Sequence, residues 1–260
     1  MWLNLSAFED GLQTEFVARR AVYLTSTDST MNVARAEAEN GAADGTVIIA
    51  EEQSTGRGRF GRAWVSPAGQ NLYFTLIMRP PLERLRSLSV VTPLAVCLAI
   101  EEVTGLEPRI KWPNDVLINR RKVAGILIES ELSGRSVKYA LVGPGVNVNF
   151  DVEESPDIAD IATSLKRELG HETSRETLLA ALMNRFEVLY NAATAGSEVL
   201  DAWRSRLETL GREVTVTFGG QTQEGLAEDV DVDGSLILCL RDGSRVAIEA
   251  GEVTLRLPAP

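Results

Sequence analysis

Gly56-Arg57-Gly58-Arg59-Phe60-Gly61-Arg62, with Trp64 just beyond it, decides how the rest of the chain reads: three glycines alternate with three arginines in seven residues. Glycine reaches positive φ readily and lets a ligand approach the backbone. Arginine stays charged and offers a planar fork of donors that matches phosphate or carboxylate. Such a loop suits a small anion wrapped from several sides. The spacing is neither the G-x-x-x-x-G-K-[ST] of a P-loop nor the G-x-G-x-x-G of a dinucleotide-binding turn. Taken alone, the heptad fits equally a flexible basic surface loop or an RGG-like strand for single-stranded nucleic acid.

Composition narrows that choice. The chain has 260 residues and a formal net charge of −11. A general nucleic-acid binder needs a basic face to release counterions from phosphates, so a basic loop on an acidic body fits a compact anionic ligand better. The length allows one large domain, or one medium and one small domain. Cys97 and Cys239 are the only cysteines, each inside an apolar run, which argues against a disulfide scaffold. No Cys/His cluster offers a metal site. His171, the sole histidine, follows Gly170 ahead of a helix start and reads as a solvent-facing loop residue. Met1 to Asp10 carries neither a basic region nor a continuous apolar segment, and no run reaches the length of a membrane span. A cytoplasmic location is expected.

Upstream of the loop, Val22-Tyr23-Leu24 reads as a short strand. The hydroxyl-rich Thr25-Ser26-Thr27-Asp28-Ser29-Thr30-Met31-Asn32 leads a helix that ends near Gly41. A cap needs one of these side chains; the surplus hydroxyls are free to line a polar pocket at the positive helix end. Thr46 to Ala50 is a buried-type strand running through Glu51-Glu52-Gln53 into the loop. Asn71 to Arg79 is another strand, ended by Pro80-Pro81. Residues 88–103 form a helix that stops at Gly105, with Pro93 either weakening it or marking its first turn.

Arg109-Ile110-Lys111-Trp112-Pro113-Asn114-Asp115 turns into Val116-Leu117-Ile118. Asn119-Arg120-Arg121 leads to the strand Lys122–Glu129. Val137 to Val148 reads as a strand interrupted at Gly143-Pro144-Gly145, where glycines mark a bulge or a close approach to something bound. Residues 151–163 are acidic loop. Thr173-Ser174-Arg175-Glu176 matches a capping box and opens a helix with Leu178, Leu179, Leu182, Phe186, Leu189 and Tyr190 on one stripe. A second helix is expected over 197–209. From Arg212 to Leu257, short alternating segments are separated by Gly219-Gly220, Asp233-Gly234 and Asp242-Gly243, the pattern of a small barrel of about five strands.

Four motifs now stand in order: Asp28-Ser29-Thr30; the arginine loop with Trp64; Lys111-Trp112-Pro113-Asn114-Asp115 with Lys122; and Gly143-Pro144-Gly145-Val146-Asn147. With the β-rich tail they resemble biotin–protein ligase over residues 22–257. The resemblance implies an α+β fold: a mixed-sheet catalytic domain of the class II synthetase-like, biotin/lipoate ligase type over 1–210, and an SH3-like β-barrel over 211–260. It implies that biotin and ATP combine as biotinyl-5′-AMP, with pyrophosphate released and Mg2+ expected. Biotin then passes to one lysine of a biotin carboxyl carrier protein, the acetyl-CoA carboxylase subunit.

Residue roles follow from the same resemblance. Ser29, Thr30 and Gln53 bind biotin, and Met31, where many members carry a polar residue, contacts it through backbone. Gly56, Arg57, Gly58 and Arg59 bracket the adenylate phosphate and biotin carboxyl. Lys122 touches the same two groups. Trp64 packs on adenine, with ordinary core packing as its other reading. Asn114 and Asp115 sit at the active site, where the aspartate is placed to orient an incoming amine that must lose a proton. Gly143, Gly145 and Asn147 lie near the nucleotide, a turn role for Asn147 remaining open. Lys122, Arg59 and Asp115 are the expected catalytic set. Lys111 and Trp112 fix the motif's shape. About twenty residues precede the first strand, so the monofunctional class without the N-terminal DNA-binding domain is expected, as a monomer or homodimer. A lipoate-type adenylating ligase and a non-enzymatic adaptor or nucleic-acid module remain as alternatives.

Overall fold

A computed structural model describes residues 2–193 and 198–255. Its elements in chain order are α1 (Leu5–Asp10), β1 (Ala21–Leu24), α2 (Thr30–Glu39), β2 (Thr46–Ala50), β3 (Leu72–Met78), α3 (Leu88–Thr104), β4 (Arg109–Lys111), β5 (Asp115–Ile118), β6 (Arg121–Ser133) and β7 (Ser136–Val146). They continue with α4 (Leu165–Leu169), α5 (Arg175–Ala192), α6 (Glu198–Arg204), β8 (Glu213–Phe218), β9 (Gln221–Val230), β10 (Leu236–Leu240), β11 (Arg245–Ile248) and β12 (Glu252–Leu255).

β1 to β7 form a mixed sheet in the order β1-β2-β3-β7-β6-β5-β4. β1 and β2 run parallel, while the remaining neighbours are antiparallel. Side chains alternate between the two faces of a strand, and β3 shows both. Leu72, Phe74, Leu76 and Met78 join the core formed with α3 and α5. Ile77 packs with Met31, Ala34 and Ala38 of α2 on the opposite face. β3 is buried along its whole length because both faces are covered.

α3 is apolar nearly all round and buried over most of its length, with Ser89 and Glu102 exposed, and burial pushes the Cys97 thiol up. Pro93 lies inside α3, beyond its first turn, and Gly105 ends the helix in the left-handed conformation at φ 71°. Glu51 and Arg175 form a buried ion pair at 2.8 Å, with side chains 0% and 6% exposed. Glu51 also accepts from the Leu3 amide and the Tyr23 hydroxyl. This fixes the end of β2, from which the chain leads to Gln53.

β8 to β12 form an antiparallel sheet in the order β11-β10-β9-β8-β12, an SH3-like arrangement. Its inward residues Val214, Val216, Ala227, Leu236, Leu238 and Val253 belong to the same continuous core as the large sheet. Trp112 joins the two parts: its Nε1 donates to Gly234 O at 2.9 Å, and its amide donates to Thr209 Oγ1 at 2.9 Å.

Two expectations are corrected and a third, an either/or, is narrowed. β7 runs through Gly143-Pro144-Gly145 in regular register with β6, so these glycines make no bulge; the register slip lies at Glu131/Leu132. The cap of α5 is Ser174, accepting from the Thr177 amide, while Glu176 accepts from the Asn4 amide, so no capping box forms. The second helix is shorter, Glu198–Arg204, with residue 197 outside the described residues. α4, capped by the Ser164 side chain, went unforeseen in the sequence. Residues 256–257 of the expected barrel also fall outside the described residues.

Candidate active site

α2 packs chiefly on β2, β3 and β7, and the rest of that sheet face carries a cleft of about 550 Å3. Among the expected site residues, Ser29, Thr30, Met31, Gln53, Arg57, Gly58, Arg59, Trp64, Asn114, Asp115, Lys122, Gly143, Gly145 and Asn147 all line it. Gly56 does not: it lies behind the wall, where a Cβ would come within 2.6 Å of Ser66 Oγ and 2.7 Å of Trp64 O. Its glycine character serves close packing of the loop's root.

One end of the cleft is a chain of neutral donors and acceptors. Ser29 occupies the cap position of α2 yet makes no side-chain cap bond. Instead, Gln53 Oε1 accepts from the Thr30 amide at 2.9 Å and from its hydroxyl at 3.2 Å. Thr75 donates to Thr30 Oγ1, and Gln53 Nε2 donates to Ser66 Oγ. Gln53 thereby replaces the local cap and leaves hydroxyls facing the cleft. Asp28 accepts from Asn32 Nδ2 and from the Ser29 amide, which together hold its carboxyl below the usual carboxylate range.

The floor is glycine. Gly125 and Gly145 face each other across β6 and β7, and the Trp64 indole lies over both. A Cβ on Gly125 would approach Trp64 to 3.1 Å and Lys122 Nζ to 2.9 Å. A Cβ on Gly143 would meet Met31 Sδ at 2.6 Å, so the Met31 side chain, not its backbone alone, shapes this floor. Trp64 Nε1 is buried without a partner.

The other end is charged. Lys122 Nζ pairs with Asp115 Oδ1 at 2.7 Å and stands 5.3 Å from the Trp64 ring centre. Arg59 Nη1 donates to Asn114 Oδ1 at 3.0 Å and to Gly251 O at 3.1 Å. Burial lowers the Arg59 pKa from its ordinary value, against the opposing charges of Asp115 and Glu252. Arg62 pairs with Glu252, so β12 contributes to the site. The loop is a small hairpin with Gly58 N bonded to Arg62 O, and Phe60 takes φ 58° at its exposed apex. Asn114 Nδ2 donates to Ile126 O, tying the motif to β6. Asn147 lies at the cleft but spends its side-chain amide on Thr163 O.

The arrangement therefore offers a hydroxyl and amide pocket, a flat apolar floor, and two cations around one carboxylate. That suits a polar apolar-bodied acid meeting a phosphate.

Comparison with known proteins agrees. The profile of the Biotin/lipoate A/B protein ligase family matches residues 23–147, and that of the Biotin protein ligase C terminal domain matches 209–256. A biotin--[acetyl-CoA-carboxylase] ligase of Paracoccus denitrificans is 38% identical over 244 residues, covering 88% of this chain and 98% of the relative. The chain belongs to the biotin protein ligase family. A bifunctional ligase/repressor BirA of Bacillus subtilis is 34% identical over 246 residues, covering 93% of this chain and 76% of the relative. Among solved structures of biotin protein ligases, the Aquifex aeolicus protein in complex with biotin and ATP superposes with a TM-score of 0.78 at 31% identity, covering 92% of this chain and 99% of that one.

Sequence reasoning missed several participants in this biotin protein ligase fold. Gly125 had a signal, a lone glycine inside an apolar strand. Asn32, Ser66, Thr75 and Glu129 are ordinary polar residues, tied to Arg57, Gln53, Thr30 and again Arg57 by contacts that no local pattern marks. Gly251 and Glu252 reach the site through domain packing that no local pattern encodes.

Proposed function

We propose that this chain joins biotin to ATP as biotinyl-5′-AMP and transfers the biotin to a lysine of a biotin carboxyl carrier protein, using the residues of this cleft. The observation that carries the assignment of roles is the convergence of Lys122, Asp115, Arg59 and Asn114 beside the Trp64 floor.

Biotin's ureido ring both donates and accepts, which matches Ser29, Thr30 and Gln53; its aliphatic body fits the glycine floor. In the first step a carboxylate oxygen attacks the α-phosphorus, and the bond to pyrophosphate breaks. Two anionic groups meet there. Arg57, Arg59 and Lys122 supply the compensating charge, and charge-assisted hydrogen bonds of this kind contribute ~1.5–3 kcal/mol each. In the second step a neutral lysine amine attacks the acyl carbon and AMP leaves. We assign the amine's proton to Asp115, a role that its pairing with Lys122 supports.

Mg2+ would enter with the nucleotide; among the described residues no three His, Cys, Asp or Glu side chains gather as ligands for it. A carrier-protein partner suits the formal charge of −11 better than DNA does. No helix among the described residues is long and apolar enough to cross a membrane; we place the enzyme in the cytoplasm, where its substrates meet. Incubation with biotin, ATP and a carrier domain should add one biotin mass to the carrier and release pyrophosphate. Adenylate formed with lipoate but not biotin would overturn the reading.

A further inference from the structure

The near end of the arginine loop is held by contacts that the chemistry above leaves unused. Arg57 Nη1 donates to Asn32 Oδ1 at 2.6 Å, and its Nη2 stands 3.7 Å from Glu129 Oε2. Glu129 already has a nearer cation, Arg35 Nη2 on α2, at 2.5 Å from the same oxygen. Arg35 also donates to the Tyr139 hydroxyl. Arg57 lines the cleft and Glu129 stands outside it. The Arg35, Arg57 and Glu129 side chains are 38%, 33% and 31% exposed, so their attraction is screened and each has room to change partner.

At 3.7 Å the second pair exceeds hydrogen-bond length. Arg57 is therefore the weaker of two claimants on one carboxylate oxygen.

We propose that Glu129 is a positioning residue for the reaction: it parks Arg57 against the cleft wall until an anion arrives, and Arg35 sets how firmly. This rests on the reading that Arg57 serves the adenylate phosphate. An incoming phosphate offers Arg57 short charge-assisted bonds in place of the long contact to Glu129. When Arg57 leaves, Glu129 keeps its charge partner in Arg35, so no carboxylate is stranded. Without Arg35, Glu129 would claim Arg57 outright and the handover would be harder. Removing Glu129 instead would leave Arg57 held by Asn32 alone.

The two substitutions thus push in opposite directions, which mere support of the fold would not produce. The test is the dissociation constant of a non-hydrolysable biotinyl-adenylate analogue that retains the phosphate, measured on the full chain with uncharged biotin amide as the control ligand. Glu129→Gln should tighten analogue binding and Arg35→Gln should weaken it, each by about two- to fivefold, the range screened pairs support. Both variants should bind biotin amide as the wild type does. Shifts of the same sign, or no shift in either variant, would overturn the proposal while leaving the ligase assignment intact. A wild-type chain that neither binds the analogue nor releases pyrophosphate with biotin would instead refute the assignment itself.

Discussion

Gly145 lies beneath the indole of Trp64 with no room for a methyl group: a Cβ there would sit 2.6 Å from Nε1. The strand is extended at this point, so the glycine is needed for clearance and not for a left-handed backbone. The indole N–H above it has no protein partner, and a buried unpaired donor costs ~1–3 kcal/mol.

Gly145→Ala should therefore lift Trp64 off the floor. Overpacking of this kind costs ~1–3 kcal/mol in stability, and biotin and ATP affinity should fall with it. Titration calorimetry beside thermal melts checks both effects. Adding Trp64→Phe should restore part of the stability; no restoration would show that the clash lies elsewhere.

Lys122→Ala should slow adenylate formation by ~10²–10³, as expected for a donor that strengthens in the transition state. Its pair with Asp115 is partly exposed, at 31% and 22%, and such pairs contribute ~0–1 kcal/mol to stability. Single-turnover pyrophosphate release should collapse while the melting temperature barely moves. A normal rate would remove Lys122 from the chemistry.

Arg59→Gly deletes the bonds to Asn114 and to the Gly251 carbonyl together. The reactive intermediate should then escape faster and label free amines with less selectivity. Retention of biotinyl-5′-AMP through rapid gel filtration is the measurement, and tight retention by the variant would contradict the role.

Tyr23 supplies a pH dependence. Burial, then the neighbouring Glu51 carboxylate, pushes its phenol up to about 12. The unfolded chain ionises near the ordinary value of 10 and the folded chain only near 12, so rising pH favours unfolding between those values. The stability this tyrosine contributes is complete below pH 10 and is lost on approaching pH 12. Tyr23→Phe should flatten that alkaline limb of the denaturation midpoint. An unchanged slope would rule out the link.

The fold was legible wherever a local rule sufficed. Gly105 stopped α3 as expected, and Gly219-Gly220 placed the β8–β9 turn, because positive φ is a property of single residues. The arginine loop and the Asn114-Asp115 turn could be read as one site because unusual residue types cluster there. What stayed hidden depends on contacts between distant segments. The cap of α5 moved to Ser174 because Glu176 was claimed by the Asn4 amide, 172 residues away. The glycines of β7 look like a bulge until Trp64 and Met31 are seen to need their space. Glu129 carries no mark in the sequence that distinguishes it from its neighbours on β6.

The bond from the Trp112 indole to Gly234 ties the active-site strand turn to a hairpin of the smaller sheet. One apolar cluster runs beneath both, and among the described residues the smaller sheet has no buried cluster apart from it. Calorimetry should accordingly record one cooperative heat-absorption peak, and a cut between α6 and β8 should silence the enzyme rather than release a working catalytic fragment.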